Sequence, residues 1–281
     1  MYVIRQLFMC EIFLTINMVI LNPKFGEDFV GRKKEIEELK EKIEKSGIVV
    51  VTGDRGVGKT ILIHVVKELL EKEPGHFKKW KHYHINGSMF YEKIRGIFKL
   101  PFYKRITGIS TPFGGISLDS AEHNILECME KSKDKIIFIE NAHELEKKDI
   151  EIISTAVDRT NRLKFVLEIA KVYLPNIKLK GGSYEVIEVK ELSYEDIEKI
   201  VRKEYPNFSD DIIEKIVTLS EGYPYIARTL AYICNNKSKE EQFQFLDTLK
   251  DGYMRHTLDK IHEEILGTLD KSSQELLKCW R

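Results

Sequence analysis

The sequence predicts an α/β fold: a parallel sheet with helices on both faces, followed by a helical C-terminal portion. Three observations predict it. Ile48-Val49-Val50-Val51-Thr52 is an unbroken, β-branched run, as in strands buried on both faces, and a glycine-rich turn and a helical pattern follow it directly. Strand-like and helix-like stretches then alternate as far as about residue 190. From Leu192 onward every stretch has helical periodicity.

Taken in order, Arg32 to Lys45 is expected to be a helix, with Ile36, Leu39 and Ile43 on one apolar face and Ser46-Gly47 as its stop. After the first strand and its turn, a helix is expected from Lys59 to Glu73, ended by Pro74-Gly75. Trp80 to Asn86 reads as a second strand. Residues 88 to 118 read as irregular, with a hairpin expected around Thr111-Pro112-Phe113-Gly114. Helices are expected over Asp119–Lys131 and Lys147–Asn161, and strands over Lys135–Glu140, Lys164–Ile169 and Tyr184–Val189. In the helical portion, Ser193 and Asp196 form a capping-box pattern, Pro206-Asn207 breaks the helix, and Ser209–Leu219 is the next, stopped by Gly222. Pro224 opens a third helix that runs to about Cys234. Glu240 to Arg281 is expected to hold two or three amphipathic helices, the last starting at Ser272 and Glu275. The division this suggests is an N-terminal segment 1–27, an α/β domain 28–190, a helical segment 191–238 and a helical extension 239–281.

The 281 residues suffice for a substantial core, and 42% hydrophobic with 32% charged residues excludes a disordered chain. Lys+Arg and Asp+Glu both number 45, so no global positive field attracts nucleic acid or anionic membrane. Cys10, Cys128, Cys234 and Cys279 form no C-x-x-C pair and are expected to be reduced thiols of a cytoplasmic protein. Leu7 to Leu21 is apolar but interrupted by Glu11 and Asn17, and it is shorter than a bilayer span. It is expected to pack on the domain or to precede a true start at Met18, not to anchor a membrane.

The chemistry lies in Gly53-Asp54-Arg55-Gly56-Val57-Gly58-Lys59-Thr60, a full match to G-x-x-x-x-G-K-[ST] between a buried strand and a helix. Glycines at these positions let the backbone wrap a polyphosphate with its N–H groups pointing inward, and the helix N-terminus adds positive potential. Lys59 is placed to reach the β- and γ-phosphates, and the Thr60 hydroxyl to ligate Mg²⁺. A partner acid belongs at the carboxyl end of a neighbouring apolar strand. Lys135-Ile136-Ile137-Phe138-Ile139-Glu140 supplies Glu140, able to hold Mg²⁺ through its water shell.

Together with this loop, Phe29-Val30-Gly31-Arg32, Glu35, Leu39, Ile139-Glu140-Asn141-Ala142-His143-Glu144-Leu145 and Glu221-Gly222-Tyr223-Pro224 resemble the archaeal ATPase family, P-loop ATPases of the AAA and STAND-like type. The resemblance covers about residues 28 to 235, and Ile265 to Trp280 looks like the first helix of the winged-helix domain that often follows. It implies a P-loop NTPase sheet of order 5-1-4-3-2 with a helical lid, Val30 and Arg32 lying against adenine, and Arg228 facing the nucleotide. It also implies ATP with Mg²⁺ as ligands, bound between sheet and lid. The family usually reads Asp-Glu where this chain has Glu140-Asn141. Asn141 therefore stands where the resemblance implies the base that polarises the attacking water, and an amide accepts no proton. Losing such a base costs about 10²–10⁴-fold, so firm binding and slow turnover are expected, with Lys59, Glu140 and Asn141 as the catalytic set.

His143, Glu144 and Glu168 are nearby polar residues; the charge on Glu168 would repel a γ-phosphate unless it points away or pairs with Lys171. Arg159 and Arg162 are expected to complement a helix C-terminus rather than act as fingers toward a second subunit. His82 and His84 share a strand face, but with no third ligand in view a metal site is not expected there. The basic–aromatic stretches Phe77–Lys81 and Phe98–Arg105 read as solvated edges over buried rings in preference to a nucleic-acid surface. No Asn-Lys-x-Asp selects guanine. The functional expectation is a slow Mg²⁺-dependent ATPase acting as a nucleotide switch; its alternatives are a non-hydrolysing interaction module and a DNA-associated regulatory ATPase. A protein partner or a second copy of the chain is the expected contact.

Overall fold

The computed structural model describes residues 29–72, 75–100, 125–132, 134–176, 179, 184–235 and 237–249. The expected hairpin, the Ser272 helix start, the N-terminal segment, Cys10 and Cys279 lie outside these residues. Five strands, β1 (Ile48–Gly53), β2 (Lys81–Asn86), β3 (Lys135–Glu140), β4 (Leu163–Ala170) and β5 (Tyr184–Glu188), form one sheet in the order β2-β3-β4-β1-β5. Every pairing is parallel, with Val51 beside Glu168 and Asn86 beside Glu140. This is the expected order, with β4 between the P-loop strand and the acid-bearing strand.

The helices are α1 (Lys33–Lys45), α2 (Lys59–Lys72), α3 (Phe90–Ile97), α4 (Lys147–Arg159), α5 (Tyr194–Glu204), α6 (Asp210–Ser220), α7 (Pro224–Asn235) and α8 (Lys239–Asp247). Residues 125–130 are also helical, within the expected 119–131 segment. The expectation of irregular chain from residue 88 is corrected by α3. Phe90 and Ile94, one turn apart, are both buried, so tertiary burial outweighs the glycines that flank them. Ser193 caps α5 by accepting from the Asp196 N–H, but the Asp196 carboxylate bonds the Ser193 hydroxyl and Lys199, leaving half a capping box. The full boxes are Glu146 with Asp149 on α4 and Ser238 with Glu241 on α8.

The chain forms two compact units. One comprises Lys34–Asp54 and Lys59–Val189; the other contains residues 29–33, Arg55–Gly58 and the described residues from Lys190 onward. In the first, Ile48 and Val50, Ile137 and Ile139, and Phe165, Leu167 and Ile169 pack with Phe90, Ile94, Ile125, Met129, Ile150 and Ile153. Each such side chain contributes about 1.5–3 kcal/mol by leaving water. The alternate residues of the strands face the opposite side, and among them are His84, Glu140 and Glu168, which therefore share one face. In the second unit, Ile197, Ile200, Ile212, Ile216, Ala227 and Leu230 are buried.

Phe77 and Trp80 are buried and meet edge to face at 4.9 Å, while Lys78 and Lys79 are exposed. Cys128 and Cys234 are free thiols. No helix among the described residues is long and apolar enough to cross a membrane.

Candidate functional site

The loop between β1 and α2 has Gly53, Gly56 and Gly58 at φ of 149°, 84° and 96°, conformations that side-chain-bearing residues rarely adopt. The sequence supplies glycine where this turn needs it, and α2 opens at Lys59. Lys59 is buried, and its Nζ donates to the Asp54 carbonyl at 2.9 Å, so the ammonium turns back toward the residue that follows β1. Within the second unit, the Tyr225 N–H at the start of α7 faces the Gly56 carbonyl at 3.4 Å, and the Tyr225 side chain lies against the Gly56 Cα. Burial raises the Tyr225 phenol to about 12, against a smaller lowering by Arg55.

Arg32 is 2% exposed, and one of its nitrogens, Nη2, donates to the carbonyls of Val57 at 2.9 Å and Lys190 at 2.5 Å. These contacts fasten the loop to the start of the helical portion. Val30 is half-buried two residues earlier. Arg228 pairs with Glu204 at 2.6 Å.

Thr60 does not meet Glu140. Its hydroxyl donates to Glu168 Oε1 at 2.9 Å. Glu168 is 9% exposed, and its Oε2 has no hydrogen-bond partner among the described residues. Burial pushes this carboxyl up to about 7; the Lys59 charge works against the rise and the Glu140 charge adds to it. The expected alternative pairing with Lys171 does not occur, because Lys171 bonds Glu188.

Glu140 ends β3 with two imidazoles beside it: His64 Nε2 at 3.1 Å and His84 Nε2 at 3.0 Å, both from Oε1. Burial raises the Glu140 carboxyl, but His64 and His84 together outweigh it and hold it at about 2. Asn141 follows in the left-handed region (φ 49°, ψ 43°), which Asn tolerates better than most residues, and its carbonyl accepts from the Glu144 N–H. A Cβ at Gly87 would come within 2.4 Å of that carbonyl, so the absence of a side chain there permits the approach. The Asn141 Nδ2 is buried without a hydrogen-bond partner among the described residues. His143 stacks on Tyr173 at 4.3 Å, and Arg159 and Arg162 pair with Glu130 and Asp134.

The Lys59 ammonium, the Thr60 hydroxyl and the carboxylates of Glu140 and Glu168, all in the first unit, are groups of the kind that a metal–polyphosphate ligand requires. The family model described as Novel STAND NTPase 6 matches residues 29–171. The chain belongs to the Novel STAND NTPase 6 family. No curated protein matches it. Among solved structures this STAND chain is similar to the Walker-type ATPase PABY2304 of Pyrococcus abyssi, at 20% identity and a TM-score of 0.56 over 87% of this chain and 79% of that one. It is also similar to the Aeropyrum pernix ORC1 protein in complex with DNA, at 15% identity and a TM-score of 0.59 over 93% and 74%. Drosophila ORC bound to DNA follows at 16% identity and a TM-score of 0.53 over 89% and 66%. At these identities the likeness is one of fold, that of a P-loop NTPase.

Proposed function

We propose that this STAND NTPase binds ATP with Mg²⁺ on residues 53–60, hydrolyses it slowly, and acts in the cytoplasm as a nucleotide switch. The observation that carries the reading is the glycine-built turn that ends β1 and presents Lys59 and Thr60 at the head of α2. In this reading the amides of Gly53, Asp54, Arg55, Gly56, Val57 and Gly58 bind the phosphates and Lys59 leaves the Asp54 carbonyl for them. Mg²⁺ supplies charge neutralisation at the phosphates when bound, held by Thr60 and by Glu140 through water. Val30 and Arg32 flank the base side, Arg32 acting through the loop backbone that it fastens. Arg228 would contact nucleotide only after parting from Glu204.

Glu168 fits this reading better than its formal charge suggests. With its carboxyl near 7, a proton removes much of the repulsion toward a γ-phosphate, and the Thr60 hydroxyl remains hydrogen-bonded. Asn141 orients a water through its amide but takes no proton from it, which slows the chemical step. The same residue favours a second reading, a non-hydrolysing module whose bound nucleotide governs contact with a protein partner or another copy of the chain. We read residues 28–190 as the nucleotide-binding domain, 191–238 as a helical lid and 239–281 as the extension through which such a contact is made.

Equilibrium binding of ATP and of GTP, followed by phosphate release on the same sample, separates these readings. Mg²⁺-dependent ATP binding with slow release supports the switch. Binding with no release over many hours supports the module. Equal affinity for both nucleotides contradicts the ATP assignment.

A further inference from the structure

We propose that His64, His84 and Glu140 form a binding site for a borderline divalent transition ion, with zinc as the best match. The three residues come from distant parts of the chain. His64 lies on α2, four residues beyond Thr60, so it shares that residue's helix face. His84 and Glu140 lie on adjacent parallel strands, diagonally related by the register His84↔Phe138 and Asn86↔Glu140, and so point to the same side of the sheet. One donor atom from each of the three lies within 4.8 Å of the other two.

The geometry suits an ion better than a hydrogen-bonded cluster. Both Nε2 atoms converge on a single oxygen, Oε1, at 3.1 and 3.0 Å, and the two rings pack with centroids 4.2 Å apart. The His64 contact has hydrogen-bond geometry, whereas the His84 Nε2, buried, makes no hydrogen bond among the described residues despite its closeness. Tetrahedral zinc with bonds of about 2.1 Å spaces its donors by about 3.4 Å, so each of the two nitrogen–oxygen distances is within a few tenths of an ångström of what it needs. Two imidazoles and one carboxylate are donors that zinc accepts readily, whereas Mg²⁺ favours oxygen alone. Three protein ligands leave a fourth position for water.

The ion would share Glu140 with the Mg²⁺ path, so, on the nucleotide reading, zinc would slow ATP turnover by withdrawing that carboxylate. The binding itself does not depend on nucleotide. His82 is not a ligand: its Nε2 faces the Phe77 carbonyl at 2.9 Å.

The test is calorimetric titration of the full chain with ZnCl₂ in the absence of nucleotide, for the wild type and for His64→Ala, His84→Ala, His82→Ala and Lys59→Ala. One equivalent should bind to the wild type, His82→Ala and Lys59→Ala. Each of the other two variants should weaken binding by more than about 100-fold, beyond the 10–100-fold typical of losing an outer-shell partner. Should one alanine variant not fold, Glu140→Gln serves in its place, with the same loss expected. Zinc should also raise the thermal midpoint of the wild type but not that of the ligand variants. Absence of zinc binding in the wild type, or binding that survives in both His64→Ala and His84→Ala, would overturn the proposal. The Lys59→Ala arm keeps the outcome separate from the nucleotide reading: zinc binding retained with ATP affinity lost supports the site whatever the chain does with ATP.

Discussion

Replacing Glu168 by glutamine tests whether the buried carboxyl bonded to Thr60 is held neutral by its surroundings. The carboxyl is raised from 4.5 in the unfolded chain to about 7 in the folded one, chiefly by burial. The folded state therefore holds a proton that the unfolded state has released between these values. The resulting stabilisation is fully present below pH 4.5 and is lost as pH rises through about 7. At 1.36 kcal/mol per unit, the whole effect is about 3 kcal/mol, most of it between about pH 5 and about pH 8.5. Glu168→Gln carries no titrating group and keeps an oxygen to accept from Thr60. Urea denaturation of both proteins at about pH 5 and about pH 8.5 yields the comparison. Any fixed cost of the new amide appears at both pH values and cancels. The variant should gain about 2–3 kcal/mol relative to wild type on going from the lower to the higher pH. If the stability difference changes by less than about 1 kcal/mol, Glu168 does not titrate in this range and the neutral-carboxyl argument is wrong.

Two further substitutions follow from the geometry. Arg32→Met removes a buried guanidinium that bonds two backbone carbonyls; hydrogen bonds of this charged kind contribute about 1.5–3 kcal/mol each, so the urea midpoint should fall markedly and ATP affinity with it. Arg32→Lys should not restore either, because a compact, strongly hydrated ammonium is costlier to bury than a guanidinium; full rescue by lysine would contradict the fastening role. Asn141→Asp keeps a residue that tolerates the left-handed backbone and adds a proton acceptor, so phosphate release should accelerate by about tenfold or more, toward the 10²–10⁴-fold that a general base supplies. An unchanged rate with ATP still bound would mean that Asn141 does not limit turnover.

The strands were legible because parallel strands buried on both faces must be continuously apolar, as Val49–Val51 and Ile136–Ile139 are. The turn after β1 was legible because its positive φ values demand glycine at particular steps. Helix α3 was not, since its apolar face is only two turns long and lies among glycines that signal loop. The Thr60–Glu168 bond and the histidine pair beside Glu140 join residues 108 and 76 positions apart, and no local pattern encodes such meetings. His84 could be placed on the correct strand face, but its partner His64 sits in an otherwise ordinary amphipathic helix. Arg32 was expected beside adenine; its two backbone carbonyl partners, on the loop and at Lys190, become visible only once the chain is folded.

The most direct measurement is equilibrium binding of ATP to the full chain with and without Mg²⁺, for the wild type and for Lys59→Ala. Saturable, Mg²⁺-strengthened binding to the wild type is expected, weakening by about 10- to 100-fold when the lysine is removed. A folded wild type with no affinity for ATP, or a Lys59→Ala variant that binds it equally well, would contradict the assignment of residues 53–60 as the phosphate site.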